Sequence, residues 1–235
     1  MAFYLAMTAA EMRHAPMPSQ QVAYMACHFS PYATGLSNLP DTLPQGSLII
    51  LNDRTPICGH DPQRIAQQLT HLLDTCSADG VLLDFQRPDC AETAALVQAL
   101  TAQLSCPVAV SQPYAGEAFP VFLPPVPPDV PIEDALARWR GREIWLDVAP
   151  VYTGITITPQ GAGDIPFACS DTGIWHTEPN LCCHYRIQAG SNEAQFFLYR
   201  TQEDIQNLLE KASAFGVTNA VGLYQELAAP SSETL

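Results

Sequence analysis

The stretch DGVLLDFQ, residues 79–86, decides the fold of this chain. Its apolar run is typical of a buried strand in a parallel sheet, where both faces are covered. A carboxylate, Asp84, ends the run, and the carboxamide of Gln86 follows two positions later. The stretch therefore predicts a buried β-strand with polar groups at its carboxyl end.

Short strand-like runs and helical patterns alternate on both sides of this strand. Strands are predicted before it at 22–28 and 47–52, where β-rich runs are bounded by Pro- and Gly-rich loops. A helix of about fifteen residues, by its 3.6-residue period, is predicted to begin at Asp61-Pro62, with an N-cap aspartate and a first-turn proline. Its apolar face is formed by Ile65, Leu69, Leu72 and Leu73.

The same alternation continues after the motif. The predicted elements are a helix at 92–104, strands at 106–111 and 119–123, a helix at 132–139 and a strand at 143–148. Strands and helices in this order, with short connections, predict parallel strands joined by right-handed crossovers.

Residues 152–188 interrupt the series, because two alternating runs, 155–158 and 184–187, predict a half-exposed hairpin insertion. The parallel pattern is then predicted to resume with a strand at 194–199. A helix follows, opened by Thr201 with Asp204 and ending near Phe215, and the closing strand is predicted at 220–224.

About eight strands with fewer than eight good helices favour an α/β fold, a small or incomplete (β/α)8 TIM-type barrel with a β-hairpin insertion. A doubly wound open sheet is the alternative, but the first βα turn has no G-x-G-x-x-G and the chain has no phosphate-binding P-loop. We expect a single domain over 1–235, with the insertion at 152–188 and a C-terminal tail at 228–235.

Composition limits the partners. Apolar residues make up 47% of the chain and charged residues 14%, which excludes a disordered chain. The formal net charge of −14 argues against nucleic acid or an anionic membrane as partner. The first residues lack the basic and apolar regions of a signal peptide, so a cytoplasmic location is expected. The sequence leaves the oligomeric state open.

The cysteines indicate neither a disulfide framework nor a metal site. Single cysteines beside apolar or turn segments are expected to be buried thiols, namely Cys27, Cys58, Cys76, Cys106 and Cys169. A zinc set built from Cys169, His176, Cys182, Cys183 and His184 lacks the usual ligand spacing. No metal and no cofactor are therefore predicted.

In a barrel, functional groups collect where the strands end at their carboxyl side. Polar and aromatic residues at the predicted strand ends are His28, Ser30, Asn52, Asp53, Arg54, Asp84, Gln86, Arg87, Gln112, Tyr114, Asp147, Tyr199, Arg200, Tyr224, Gln225 and Glu226. Carboxylates, amides and aromatic rings together suit a neutral polyol ligand. The catalytic candidates are Asp84, Asp147 and Glu226, and the ligand-binding candidates are Gln86, Asp53, His28, Tyr114, Tyr224 and Gln225.

The motif also resembles the catalytic strand of glycoside hydrolase family 18, the chitinases and their relatives, written D-G-x-D-x-D-x-E. Asp79, Gly80, Asp84 and Phe85 match that pattern, whereas its middle Asp is replaced by Leu82 and its final Glu by Gln86. The closing residues 222–224 are similar to the last strand of that family, where an aromatic residue forms the floor of a sugar subsite.

The resemblance implies a barrel without the usual general acid. In family 18 the final Glu protonates the glycosidic oxygen while the acetamido group of the substrate attacks, assisted by the neighbouring Asp. An amide has no acidic proton near neutral pH, although it can hydrogen-bond a sugar hydroxyl. The expectation is a carbohydrate-binding or scaffold pseudo-enzyme.

An active glycosidase is the alternative function. It requires another carboxylate, Glu226, Asp147 or Asp53, to serve as the acid. Two carboxyl groups about 5–9 Å apart would permit an ordinary glycosidase mechanism.

Overall fold

Parallel strands alternate with helices along most of the chain in a computed structural model that describes residues 1–32, 34–55, 57, 59–87, 90–167 and 174–227. In chain order the strands are β1 (Ala2–Met7), β2 (Gln21–Tyr24), β3 (His28–Phe29), β4 (Leu36–Ser37), β5 (Leu48–Asn52), β6 (Gly80–Asp84), β7 (Val108–Ser111), β8 (Val121–Leu123), β9 (Ile144–Val148), β10 (Tyr152–Thr158), β11 (Gly161–Ile165), β12 (His176–Glu178), β13 (Cys183–Ala189), β14 (Ala194–Tyr199) and β15 (Val217–Leu223). The helices are α1 (Ala9–His14), α2 (Pro62–Cys76), α3 (Ala91–Gln103), α4 (Ile132–Leu136), α5 (Gln202–Ser213) and α6 (Tyr224–Leu227), with a 3-10 turn at Ala137–Trp139.

Eight of these strands close into a ring in the order β1-β2-β5-β6-β7-β8-β9-β15, and every pair in the ring is parallel. The (β/α)8 TIM-type barrel predicted from the sequence is therefore confirmed. Its interior is filled by side chains from all the ring strands: Tyr4, Ala6, Ala23, Leu48, Ile50, Leu82, Ala109, Phe122, Trp145 and Val221.

The motif stretch forms ring strand β6, paired in parallel with β5 and β7. Gly80 begins this strand at a point where the segment just before β7 comes close. A Cβ at position 80 would lie 2.9 Å from the carbonyl oxygen of Pro107. A glycine is thus required by the close approach of two backbones. The strand predicted from residues 79–86 is confirmed.

The helices with strong local start signals form where the sequence predicts them. The side chain of Asp61 accepts a hydrogen bond from the amide of Gln63 at 3.0 Å, and Pro62 occupies the first turn of α2. Thr201 and Asp204 form a reciprocal capping box at the start of α5. Helix α4 is shorter than predicted, because residues 137–139 continue it as a 3-10 turn.

The first barrel strand differs from the sequence prediction. Strand β1 pairs with β15 on one side and β2 on the other, and the predicted strand at 22–28 is divided between β2 and β3. The run AFYLAM in β1 is short and apolar, so its local pattern carries little information. Its stability as a strand comes from pairing on both sides, with β2 and with β15 near the other end of the described chain.

Strand β14 also differs, because residues 194–199 pair antiparallel with β10 and β13 rather than joining the parallel series. They belong to a separate five-stranded sheet in the order β11-β10-β14-β13-β12. The excursion from the barrel thus contains a full sheet, with strands from Tyr152 to Tyr199. A buried apolar run is compatible with either direction of pairing, which explains the error.

Arg200 attaches this sheet to the barrel and is buried. Its guanidinium donates to the carbonyl oxygens of Cys182, Leu181 and Pro127 at 3.1 Å each, and also to that of Val126. The strand-end position of Arg200 therefore has a structural role, joining the loop after β8 to the start of β13.

Six cysteines lie in the described residues, and all are free thiols. Cys27 and Cys76 are buried, as predicted, whereas Cys106 is half-buried. Cys58 and Cys169 lie outside the described residues. No helix in the described part of the chain is both long and apolar enough to cross a membrane.

Candidate functional site

A cavity of about 310 Å³ lies at the carboxyl end of the barrel strands. Its apolar lining is Ala6, Met25, Ile50, Leu82, Phe122, Ala149, Val221, Gly222 and Leu223, and its polar lining is Asn52, Arg54, Asp84, Asp147 and Glu226. The three catalytic candidates predicted from the strand ends therefore share one cavity.

The alternation of side chains along each strand explains why these groups point inward. Leu82 and Trp145 belong to the interior layer of the barrel, and Asp84 and Asp147 lie two positions further along the same strands. Residues two apart face the same side of a strand. Each carboxylate therefore lies above the apolar interior, at the point where its strand leaves the barrel.

The Asp84 carboxylate is held by two side-chain donors. Its Oδ1 accepts hydrogen bonds from the amide of Gln86 and, at 3.3 Å, from the hydroxyl of Ser111. Burial raises the pKa of Asp84, as does repulsion from Asp53, whereas the two hydrogen bonds and the charge of Arg54 lower it; the net direction is upward.

Asp147 has the most perturbed carboxyl group of the cavity. Burial is the largest cause that raises its pKa to about 7, and repulsion from Asp84 and Glu226 acts in the same direction. A hydrogen bond with the backbone of Val148 opposes the shift. Near neutral pH a substantial fraction of Asp147 is thus protonated and can donate a hydrogen bond or a proton.

Gln86 is exposed and lies outside the lining of the cavity. Its contact with the site is the hydrogen bond to Asp84. The position that resembles that of the family 18 acid thus carries an amide that holds the neighbouring carboxylate.

The other predicted residues around the mouth have contacts within the loops. Asp53 is buried and its Oδ2 accepts a hydrogen bond from the amide of Arg87 at 2.8 Å. The hydroxyl of Tyr114 donates to the carbonyl of Arg87. The Nδ1 of His28 lies 2.9 Å from the carbonyl oxygen of Ala26. None of these three side chains is in the lining of the cavity.

The residues after the last strand are divided between core and surface. Tyr224 starts helix α6 and packs in a buried cluster with Leu5, Met7 and Val22. Gln225 is exposed, and Glu226 reaches the cavity. Because the strand gives way to a helix at Tyr224, the side-chain direction expected for a continued strand does not apply.

The apolar floor was missing from the sequence-based set of site residues. Ala6 belongs to strand β1, which the sequence does not predict, and the predicted strands that contain Leu82 and Phe122 carry no statement of which side chains face inward. The period-two pattern of each ring strand is the signal that identifies them. Among the described residues, no group of three or more His, Cys, Asp and Glu side chains could hold a metal ion.

No family model matches the sequence, and no curated protein sequence is significantly similar to it. Solved structures with the same architecture do exist. A chitinase-like agglutinin from Robinia pseudoacacia is 11% identical with a TM-score of 0.59 and covers 93% of this chain and 93% of its own. A glycoside hydrolase family 18 N-acetylglucosaminidase from Paenibacillus barengoltzii is 9% identical with a TM-score of 0.58, over 94% of each chain.

A third solved structure is a class V chitinase from Nicotiana tobaccum, a glutamate-to-glutamine mutant in complex with NAG4. It is 9% identical with a TM-score of 0.55 and covers 93% of this chain and 92% of its own. At these identities the likeness shows the fold. This chain therefore has a glycoside hydrolase-like barrel of the kind found in family 18 chitinases and chitinase-like proteins.

Proposed function

We propose that the mouth of this barrel binds a carbohydrate and lacks the general acid usual for chitinase-like barrels. The observation that carries the proposal is the cavity itself, in which an apolar floor meets three carboxyl groups, a guanidinium and an amide. A sugar ring has apolar faces and a rim of hydroxyl groups, so it can use both parts of such a lining. Asp84, Asp147 and Asn52 supply hydrogen-bond partners for the hydroxyls.

The fold likeness supports a binding role. One protein with this architecture is described as an agglutinin. Another is a chitinase mutant that carries a glutamine in place of a glutamate and is in complex with NAG4. By analogy, a glutamine at position 86 is compatible with carbohydrate binding at this mouth.

Calorimetric titration of the whole chain with the N-acetylglucosamine tetramer tests the proposal. We expect saturable binding, and at least a tenfold loss of affinity in Ala149→Trp, because an indole at this lining position fills the cavity. Ala162→Trp, at an exposed position of β11, is the matched control and should bind normally. Absence of binding, or equal binding by both variants, would contradict a site in this cavity.

Slow glycoside hydrolysis is a second candidate function, favoured by the pKa of Asp147. Asp147 would transfer its proton to the glycosidic oxygen as the bond to C1 breaks. A water would then add at C1 and pass its proton to the carboxylate of Asp84. Of the other proposed acids, Asp53 lies outside the cavity lining and Glu226 is exposed.

A chromogenic chito-oligosaccharide tests this second function. Hydrolysis by the wild type should disappear in Asp147→Asn and should decrease as the pH rises through about 7, where Asp147 loses its proton. If the wild type releases no chromophore, the enzymatic function is excluded and the binding function is unaffected.

A further inference from the structure

The cavity is lined by charged side chains, and a neutral sugar offers no opposite charge to them. The lining contains the carboxyl groups of Asp84, Asp147 and Glu226 and the guanidinium of Arg54. Among the lining residues that the structure describes, the formal balance is therefore three acids against one base. A buried acid, Asp53, acts electrostatically on Asp84 from outside the lining.

The charged side chains of the lining act on one another. Arg54 lowers the pKa of Asp84. The charges that act on Asp147 are those of Asp84 and Glu226, and both raise its pKa. Because Asp84, Asp147 and Glu226 line one cavity, an added positive charge in that cavity would relieve the repulsion that acts on Asp147.

We propose that this cavity selects sugars that carry a primary ammonium group, so that the preferred ligand is an oligosaccharide of 2-amino-2-deoxy units rather than its neutral N-acetylated form. The inference rests on the proposed function, since it assigns the chemical class of the carbohydrate bound at the same site. An ammonium group offers three donors and a full positive charge to Glu226 and to Asp147, and its charge favours the ionised form of Asp147. Charge-assisted hydrogen bonds of this kind are roughly twice as strong as neutral ones.

The apolar floor strengthens this preference. Ile50, Leu82, Phe122 and Val221 exclude water beneath the carboxyl groups. Charges at the edge of a low-dielectric region interact more strongly than charges in bulk water. An amino sugar can place its ring against this floor and its ammonium group among the acids, whereas a simple cation would use only the acids.

Calorimetric titrations of the whole chain with the glucosamine tetramer and the N-acetylglucosamine tetramer, at pH 6.5, test the proposal. We expect at least tenfold tighter binding of the glucosamine tetramer. The preference should fall severalfold in Asp147→Asn and, independently, in Glu226→Gln. A thermal melt and the far-UV circular dichroism spectrum of each variant show whether it is folded, and an unchanged preference in both folded variants would overturn the inference.

Glu133→Gln is the matched control, because Glu133 is exposed on α4 and its substitution removes the same single charge. This variant should keep the full preference. An equal loss in Glu133→Gln would show diffuse attraction to an acidic protein and would overturn the inference. Equal or weaker binding of the glucosamine tetramer by the wild type would overturn it as well, with the proposed function intact. Binding of neither tetramer would overturn both.

Discussion

The side-chain amide of Gln86 donates a hydrogen bond to Oδ1 of Asp84. The two polar residues at the carboxyl end of the motif are therefore hydrogen-bonded to each other at the rim of the cavity. This bond and the one from Ser111 stabilise the ionised form of Asp84 against the effect of burial. The amide of Gln86 thus stabilises the ionised carboxylate of Asp84, whereas the carboxylate of a glutamate at position 86 would repel it.

Replacing Gln86 should change the titration of Asp84. In Gln86→Ala the carboxylate loses a donor, so we expect the pKa of Asp84 to rise. In Gln86→Glu a second carboxylate replaces the donor, and the rise should be larger. NMR titration of the Asp84 carboxyl carbon measures both. An unchanged pKa in the two variants would contradict the role assigned to this hydrogen bond.

Asp147 should make the folded state less stable as the pH rises. Its pKa is about 7 in the folded protein, against an ordinary value of 3.8, so the unfolded chain releases this proton first. Between these two values the folded state binds more protons, and stability therefore falls with increasing pH. The contribution is at most about 4 kcal/mol, at about 1.4 kcal/mol for each pH unit.

The test is the free energy of unfolding of the wild type and of Asp147→Asn from pH 4 to pH 8. Asparagine does not titrate, so we expect a flatter profile in the variant and a gain in relative stability toward pH 8. Parallel profiles for the two proteins would show that Asp147 titrates normally.

Arg200 should be sensitive even to a conservative change. Lysine retains the charge but cannot supply donors to the carbonyls of Cys182, Leu181, Val126 and Pro127 together. We expect Arg200→Lys to lower the free energy of unfolding by about 2–3 kcal/mol, measured with urea. Arg140→Lys, at an exposed position, should change it by less than about 0.5 kcal/mol. Similar losses in the two variants would refute the attachment role.

Gly222 lies where two elements meet at the cavity wall. A Cβ there would lie 2.2 Å from Cδ1 of Leu227 and 2.8 Å from the carbonyl oxygen of Val148. We expect Gly222→Ala to destabilise the protein by about 1–3 kcal/mol, as overpacking commonly does. Gly163→Ala, where nothing lies within 4 Å, is the control and should be tolerated in a thermal melt. A Gly222→Ala variant as stable as the wild type would show that Leu227 and Val148 can move to accommodate the added methyl group.

The sequence predicts those elements whose determinants are local. Helices α2 and α5 carry their own caps, Asp61 and Thr201, and strand β6 carries a long apolar run. Strand β1 pairs with β15 near the other end of the described chain, and its short apolar run does not reveal this, so the sequence does not predict it. Strand β14 has an apolar run compatible with either pairing direction, so the sequence predicts a parallel strand where the structure has antiparallel pairing with β10 and β13.

The same distinction applies to the site. Asp84, Asp147 and Glu226 are predicted to lie close together because the carboxyl ends of all the strands meet at one mouth of a closed barrel. All three residues line the same cavity. The sequence predicts Tyr224 as a ligand-binding residue, but its side chain packs into the core where the strand becomes a helix. The degree to which burial perturbs Asp147 depends on the assembled cavity and cannot be derived from its neighbours in sequence.

A crystal structure of the protein soaked with a chito-oligosaccharide would show directly whether the cavity binds a sugar. The proposed function predicts a sugar ring in the cavity, lying over Leu82 and Phe122 and hydrogen-bonded to Asp84 and Asp147. An empty cavity at saturating ligand, or a sugar bound elsewhere on the surface, would contradict it.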